Sequence, residues 1–230
     1  GFLSSFLFPP FFIKPIGFII FPFLFFLLID KKFQNSNKLF HFISGLGYGI
    51  SMNLVVLIWI KEPFLIDKTT SNFYFFSYLL IFYCSIYYGL SFFILSFIKN
   101  NFSKLILIPI LFVVIEILRE HLGYGFPWIT FALINSGNSF ILNLIYYFGT
   151  YGLSYFTLVI FFLPAVMILF YRNDIKKIFF RIYLSISLLI VFFCIVLIYL
   201  RIDIDNENNL EKEIVDVSLV QLNFSYLEKK

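Results

Sequence analysis

The sequence E-I-L-R-E-H-L-G-Y-G-F-P-W, at residues 116–128, places two acids, an arginine, a histidine, two glycines, a proline and a tryptophan within thirteen positions. It follows an apolar run at residues 105–118 and opens a short loop. Most of the remaining sequence is apolar, so this stretch carries much of the chain's distinctive chemistry. A specific function therefore has to account for it.

The composition indicates a membrane protein. The chain has 230 residues, of which 61% are hydrophobic and 13% are charged. A soluble domain of this size could not bury so much apolar surface in one core. The apolar runs approach the length of about 20 residues that crosses a bilayer as a helix, and they predict an all-α polytopic protein with about seven transmembrane helices, the first one partial.

The apolar runs are separated by short polar or basic loops. They lie at residues 1–8, 15–29, 39–60, 73–98, 105–118, 144–171 and 182–200. In the third run, Gly45 and Gly49 form a small-xxx-small face that predicts close helix packing. The sequence G-L-G-Y-G around them follows no strand, so it does not indicate a nucleotide loop. The segment G-T-Y-G-L-S at residues 149–154 predicts a helix-packing site with a local bend.

The last thirty residues differ from the rest. Residues 201–213 are polar and acidic and predict a linker after a transmembrane domain at residues 1–200. Residues 214–222 are β-branched and partly alternating, which predicts one strand at the start of a soluble domain, residues 214–230. Because one strand is not stable alone, we expect that the rest of this domain is missing and that both ends of the chain are cut.

The basic residues predict an orientation. Loops after the second, fourth and sixth runs hold nine Lys and Arg residues, and the opposite loops hold five. The more basic side is expected to be cytoplasmic. Residues 116–128 and the soluble part after Arg201 then share the outer side, where they could form one site.

Four residues are candidate substrate contacts: Glu116, Arg119, Phe126 and Trp128. Glu116 and Arg119 are three positions apart, so they share a helical face and can pair; such a pair could line a substrate cavity or be structural. Phe126 and Trp128 could anchor the loop at the membrane interface or contact a lipid substrate. His121 is expected to be interfacial.

Several kinds of site are not expected. The net charge of +4 is spread over loops and forms no nucleic-acid patch. Cys84 and Cys194 both lie in apolar runs, which argues against a disulfide, a metal site or a nucleophile. The sequence indicates no cofactor and no metal.

The stretch at residues 114–128 resembles the E-x-L-R-x-x-x-x-x-G-F-P-W hallmark of bacterial apolipoprotein N-acyltransferases. Other segments resemble that family in the same order: L-F-P-P-F at residues 7–11, G-Y-G at 47–49 with Trp59, G-T-Y-G-L-S at 149–154, and V-S-L-V-Q at 217–221. The chain departs from the family at residues 132–135, A-L-I-N in place of G-Y-S-Q, and after V-Q, where it has L-N.

The resemblance implies an inner-membrane enzyme with an outward-facing α/β nitrilase-like domain. It would transfer an acyl chain from a membrane phospholipid to the α-amino group of a diacylated prolipoprotein. In this family a Cys forms a thioester, a Glu acts as base and a Lys stabilises the oxyanion. All three are expected beyond residue 230, so this chain alone is expected to be inactive.

Two other functions stay open. A transporter would be expected to carry more charges within its helices and broken helices in corresponding halves, and the apolar runs show few such charges. A non-catalytic membrane anchor, or a degenerate acyltransferase-like protein, would lack the catalytic residues, and the sequence to residue 230 does not exclude it.

Overall fold

The computed structural model describes residues 1–122, 128–172 and 176–208, and the regular structure within these ranges is entirely helical. The α-helices are α1 (Gly17–Ile29), α2 (Lys31–Gln34), α3 (Lys38–Val56), α4 (Glu62–Ile66), α5 (Phe75–Leu95), α6 (Asn101–Leu122), α7 (Ser139–Leu142), α8 (Ile145–Phe161), α9 (Leu163–Tyr171) and α10 (Lys177–Asn208). Short 3₁₀ helices lie at Phe2–Leu7, Lys14–Ile16, Ile58–Lys61, Ser71–Phe73 and Phe131–Asn135.

Five helical stretches in the described residues are long and apolar enough to cross a membrane. They are Lys38–Val56, Ser71–Leu95, Asn101–Leu122, Ile145–Tyr171 and Lys177–Leu197, and Lys14–Ile29 is a shorter apolar helix. The predicted all-α polytopic architecture is confirmed at this level. The count of about seven spans stays a prediction.

The helices pack side by side around an aromatic core. Helix α3 packs on α5, α5 on α6, and α6 on α8, while α1 lies against α9. Phe21, Phe112, Phe131 and Phe162 are buried at the centre. Helix α10 contacts α8 and α9, and only 6% of its apolar stretch is buried inside the protein.

At both ends of the described chain, the secondary structure differs from the one predicted from the sequence. Residues 1–8, predicted as the tail of a membrane helix, form the 3₁₀ helix Phe2–Leu7, in which the Ser5 hydroxyl donates to the Phe2 carbonyl. At the other end, α10 continues to Asn208, so the first residues of the predicted linker are helical. The predicted strand at residues 214–222 lies outside the described residues.

A buried lysine joins two helices at the more basic end of the bundle. The sequence places Lys104 in a basic loop, but the structure places it in the first turn of α6, almost completely buried. Its Nζ donates to the Leu28 carbonyl oxygen at 3.0 Å. Leu28 is in the last turn of α1, where a cation is favourable because the helix dipole is negative there.

The small-residue face of α3 is confirmed. A Cβ atom added at Gly45 would lie 2.5 Å from the Tyr88 carbonyl oxygen, and one at Gly49 would lie 2.9 Å from the Ser85 Cα. Both neighbours belong to α5, so the two backbones approach each other because these positions lack a side chain. A Cβ atom at Gly47 would meet nothing within 4 Å.

These glycines provide a matched stability test. We expect Gly45→Ala and Gly49→Ala to destabilise the protein by about 1–3 kcal/mol, because the added methyl group overpacks the α3–α5 contact. Gly47→Ala should leave stability unchanged or raise it by up to about 1 kcal/mol, since alanine is the better helix former. Thermal unfolding in detergent checks this, and equal effects of all three substitutions would contradict the packing role.

Candidate functional site

The chain re-enters the helical bundle after residues 116–128. Thr130 is extended and the 3₁₀ helix Phe131–Asn135 follows. The Phe131 ring stacks on Phe112 of α6, with ring centroids 5.6 Å apart and ring planes 7° apart. Phe112 precedes the end of α6 by ten residues, about 15 Å along a helix. We call residues 129–135 the re-entrant segment.

Two charged side chains of α6 hold the backbone of this segment. Glu116 and Arg119 are each only 1% exposed. The Arg119 guanidinium donates through Nη2 to the Ile129 carbonyl oxygen. The Phe131 N–H donates to Glu116 Oε1 at 2.6 Å. The positive side chain thus satisfies a backbone acceptor and the negative one satisfies a donor, in a place where unpaired backbone groups would be costly.

The ion pair that the spacing of Glu116 and Arg119 allows does not form. Among the described residues, neither forms a salt bridge within 4.0 Å. The spacing of three residues does put them on one face of α6, but each turns towards the re-entrant backbone. An ion pair between Glu116 and Arg119 would satisfy only their charges, whereas the observed bonds pair two buried backbone groups.

Helix α8 holds the same segment from the other side. The Ala132 N–H donates to the Ser154 hydroxyl oxygen at 2.9 Å, and the Asn135 amide donates to the Thr157 hydroxyl at 2.8 Å. The bend predicted at residues 149–154 is confirmed, because Gly149 has φ 66° and ψ 177° inside α8. Ser154 from that same segment thus has a definite role in binding backbone.

Two tryptophan rings stack on each other beside the start of the re-entrant segment. The Trp59 and Trp128 ring centroids are 5.3 Å apart and the rings are 10° from parallel. Trp59 is 51% exposed and Trp128 is 49% exposed. They border an apolar groove of about 710 Å³, which we call the tryptophan groove. Its lining residues are Phe8–Phe11, Leu54–Trp59, Trp128 and Leu133.

A second, more polar pocket lies on the other side of Trp128. It has a volume of about 520 Å³, and we call it the hydroxyl pocket. Its described lining residues are Glu120, Trp128, Thr130, Leu133, Gly149, Thr150 and Tyr151. Trp128 and Leu133 line both cavities, so these two side chains are shared by an apolar groove and a pocket with more polar side chains.

Comparison with known proteins identifies the family. Residues 1–163 match the family described as the apolipoprotein N-acyltransferase N-terminal domain. The chain belongs to this family. It is 35% identical over 112 residues to the apolipoprotein N-acyltransferase of Aquifex aeolicus (strain VF5). That alignment covers 46% of this chain and 24% of the Aquifex protein, so the chain spans about a quarter of the length of this relative. No solved structure matches the chain.

The predicted contact residues of this N-acyltransferase-family chain fall into three groups. Trp128 lies at the groove, whereas Glu116 and Arg119 lie beneath it in the core. Phe126 lies outside the described residues. His121 is exposed, and its Nδ1 lies 2.9 Å from the Ile117 carbonyl oxygen. Whether Trp128 and the other three contact a substrate stays a prediction.

Sequence reasoning missed several residues of the site. It places no apolar run between residues 118 and 144, and it does not predict the return of residues 129–135 into the bundle. Asn135, where the family often has Gln, keeps an amide contact with Thr157. No local signal pairs Trp59 with Trp128, because 69 positions separate them. In the described part of the chain, no group of three or more His, Cys, Asp or Glu residues could hold a metal ion.

The backbone bonds can be tested by hydrogen exchange. We expect Glu116→Ala to speed exchange of the Phe131 amide about 10-fold to 100-fold, because a buried bond to a charged group is lost. Glu116→Gln keeps an acceptor oxygen at the same position and should have a smaller effect. Arg119→Ala should increase exchange across residues 129–131. Unchanged protection in the alanine variants would contradict the bracing role.

Proposed function

We propose that this chain is the membrane part of an enzyme that transfers an acyl chain from a phospholipid to the N-terminal diacylglyceryl-cysteine of a prolipoprotein. The observation that carries this proposal is the tryptophan groove at the family's own hallmark stretch. Its volume of about 710 Å³ lies within the range of about 300–1,000 Å³ typical of small-molecule sites. Its lining is mainly aliphatic, aromatic and proline side chains, which suit an acyl chain.

The four candidate residues take two different roles in this proposal. Trp128 contacts the acyl donor directly, since half of its surface is exposed at the groove. Phe126, which precedes it by two positions, is proposed as a second contact on the sequence alone. Glu116 and Arg119 are positioning residues, because both are buried and bind the backbone that follows Trp128.

Bond cleavage belongs to another part of the protein. Cys84 is completely buried within α5, and Cys194 is half-buried on α10. Neither lies at the tryptophan groove. We therefore assign acyl transfer to a nitrilase-like domain with the family's Glu, Lys and Cys, and we propose that the 230-residue chain alone is inactive.

The proposed location is the bacterial inner membrane, which the chain crosses several times. The excess of Lys and Arg on one set of loops supports a cytoplasmic position for those loops. The tryptophan groove and the soluble domain then lie on the periplasmic side, where lipid-linked substrates can enter sideways from the outer leaflet.

The proposal predicts a selective loss of activity on changing Trp128. The test uses the full-length protein of which this chain is a part. In it, Trp128→Ala should lower acyl transfer to a diacylated lipopeptide at least about tenfold. The reason is that one large aromatic contact stabilises a bound ligand by more than about 1.4 kcal/mol. Thermal stability should change little because the side chain is half exposed. Tyr171→Ala, at an 89% exposed aromatic residue, is the control and should keep full activity.

Two results would contradict the proposal. The first is a Trp128→Ala protein that loses stability and activity to the same extent, because the tryptophan would then be structural. The second is N-acylation of the lipopeptide by the purified 230-residue chain, because that would place the catalytic groups within it.

A further inference from the structure

Another apolar groove runs between α1 and α3, towards the more basic end of the bundle. Two adjoining cavities form it, with volumes of about 720 Å³ and about 650 Å³. Four side chains line both cavities: Phe23, Leu27, Phe33 and Phe40. We call the two cavities together the α1–α3 groove. It shares no described lining residue with the tryptophan groove.

The groove is about as deep as one leaflet of a bilayer. On α3 it extends from Phe40 to Ser51, which is about 16 Å along a helix, and half of a hydrocarbon core is about 15 Å. The 3₁₀ helix Phe2–Leu7 closes its deep end, where Phe2 and Leu3 line the groove and Gly1 packs against Ser51. A membrane-spanning partner helix would need about 30 Å, so this depth favours a lipid chain.

The walls of the groove leave room for such a chain. On the α1 side, Ile19 and Phe23 are exposed and lie four positions apart, so they share one helical face. On the α3 side, a Cβ atom added at Gly47 would meet nothing within 4 Å. Helices α1 and α3 have little direct contact with each other. An acyl chain would therefore fill the space between them and cover apolar surface on both.

The shallow end of the groove carries a cation. Lys32 lines the smaller cavity together with Asp30 and Ser36. Asp30 Oδ1 accepts the backbone N–H groups of Lys32 and Phe33, and the Ser36 hydroxyl donates to the Phe33 carbonyl oxygen. Lys32 itself is exposed and forms no ion pair with a described residue. Its ammonium can therefore bind a phosphate through charge-assisted hydrogen bonds.

We propose that the α1–α3 groove holds one acyl chain of a phospholipid whose phosphate is bound by Lys32. The cation and the apolar cavity follow each other along the groove in the order of a lipid headgroup and its chain. The excess of Lys and Arg in the loops on this side has the sign of charge that attracts phosphate. This inference goes beyond the proposed acyl transfer and does not depend on it.

The occupant is identified by photolabelling. The 230-residue chain is placed in nanodiscs with a trace of a phospholipid that carries a diazirine at the end of one acyl chain. A parallel sample contains the diacylglycerol with the same two chains, which lacks the phosphate. Mass spectrometry then locates the labelled peptides. Helix α10 is the reference for contact with bulk lipid, because only 6% of its apolar stretch is buried.

We expect the phospholipid probe to label residues 40–51 at least about tenfold more than the diacylglycerol probe does, relative to α10, as one charge-assisted hydrogen bond predicts. Lys32→Gln should remove this difference. Lys31→Gln, at the neighbouring exposed lysine outside both cavities, is the matched control and should retain it.

A second pair of variants tests the groove itself. Gly47→Trp places a ring in open space within the groove and should block labelling of residues 40–51 by both probes. Gly47→Ala adds only a methyl group at the same position and should leave the labelling unchanged. Circular dichroism should show the same helix content in both variants, since neither side chain meets a neighbour.

Three results would overturn the proposal. If the phospholipid probe labels residues 40–51 no more than α10, the groove holds no bound lipid. If both probes label alike, or if Lys32→Gln retains the difference, Lys32 does not recognise the phosphate. If native mass spectrometry shows a dimer that Gly47→Trp dissociates, the occupant is a second copy of the chain.

Discussion

Two buried hydrogen bonds between side chains and backbone determine the arrangement on which the rest of the site depends. Arg119 satisfies the Ile129 carbonyl and Glu116 satisfies the Phe131 N–H. Backbone that is not regular helix is tolerated at membrane depth only when it is buried in protein and its polar groups are paired. Without these two charges, the re-entrant segment would leave a donor and an acceptor unpaired beside an aromatic core, at a cost of about 1–3 kcal/mol each.

This constraint explains how the buried charges of Glu116 and Arg119 influence side chains at the surface of the bundle. The charges do not reach the tryptophan groove or the hydroxyl pocket. Glu116 and Arg119 instead fix the position of the backbone next to Trp128 and Leu133. Those two side chains line both cavities. A lipid has an apolar part and a polar part, and the proposed lipid site offers an apolar groove beside a pocket with more polar side chains. The candidate site is therefore built on a backbone segment that buried side chains hold in place.

The parts of the fold that depend on local pattern could be predicted from the sequence. Apolar length predicted the long helices, and the spacing of Gly45 and Gly49 predicted that this helix packs closely on a neighbour, without identifying α5 as that neighbour. The re-entrant segment could not be predicted, because its partners are distant: Phe131 is 15 positions from Glu116, and Ala132 is 22 positions from Ser154. Spacing on a helix shows which side chains share a face, but it does not identify the backbone group that each one binds.

The most direct measurement is cross-linking of Trp59→Cys with Trp128→Cys, with both native cysteines replaced by alanine. A short bifunctional maleimide should join the two positions readily, because the rings they replace are stacked. Adding Arg119→Leu should slow cross-linking at least about tenfold while helix content is unchanged, and adding Glu120→Gln should leave the rate unaltered. An undiminished rate with Arg119→Leu would show that the buried arginine does not place Trp128, and it would contradict this account.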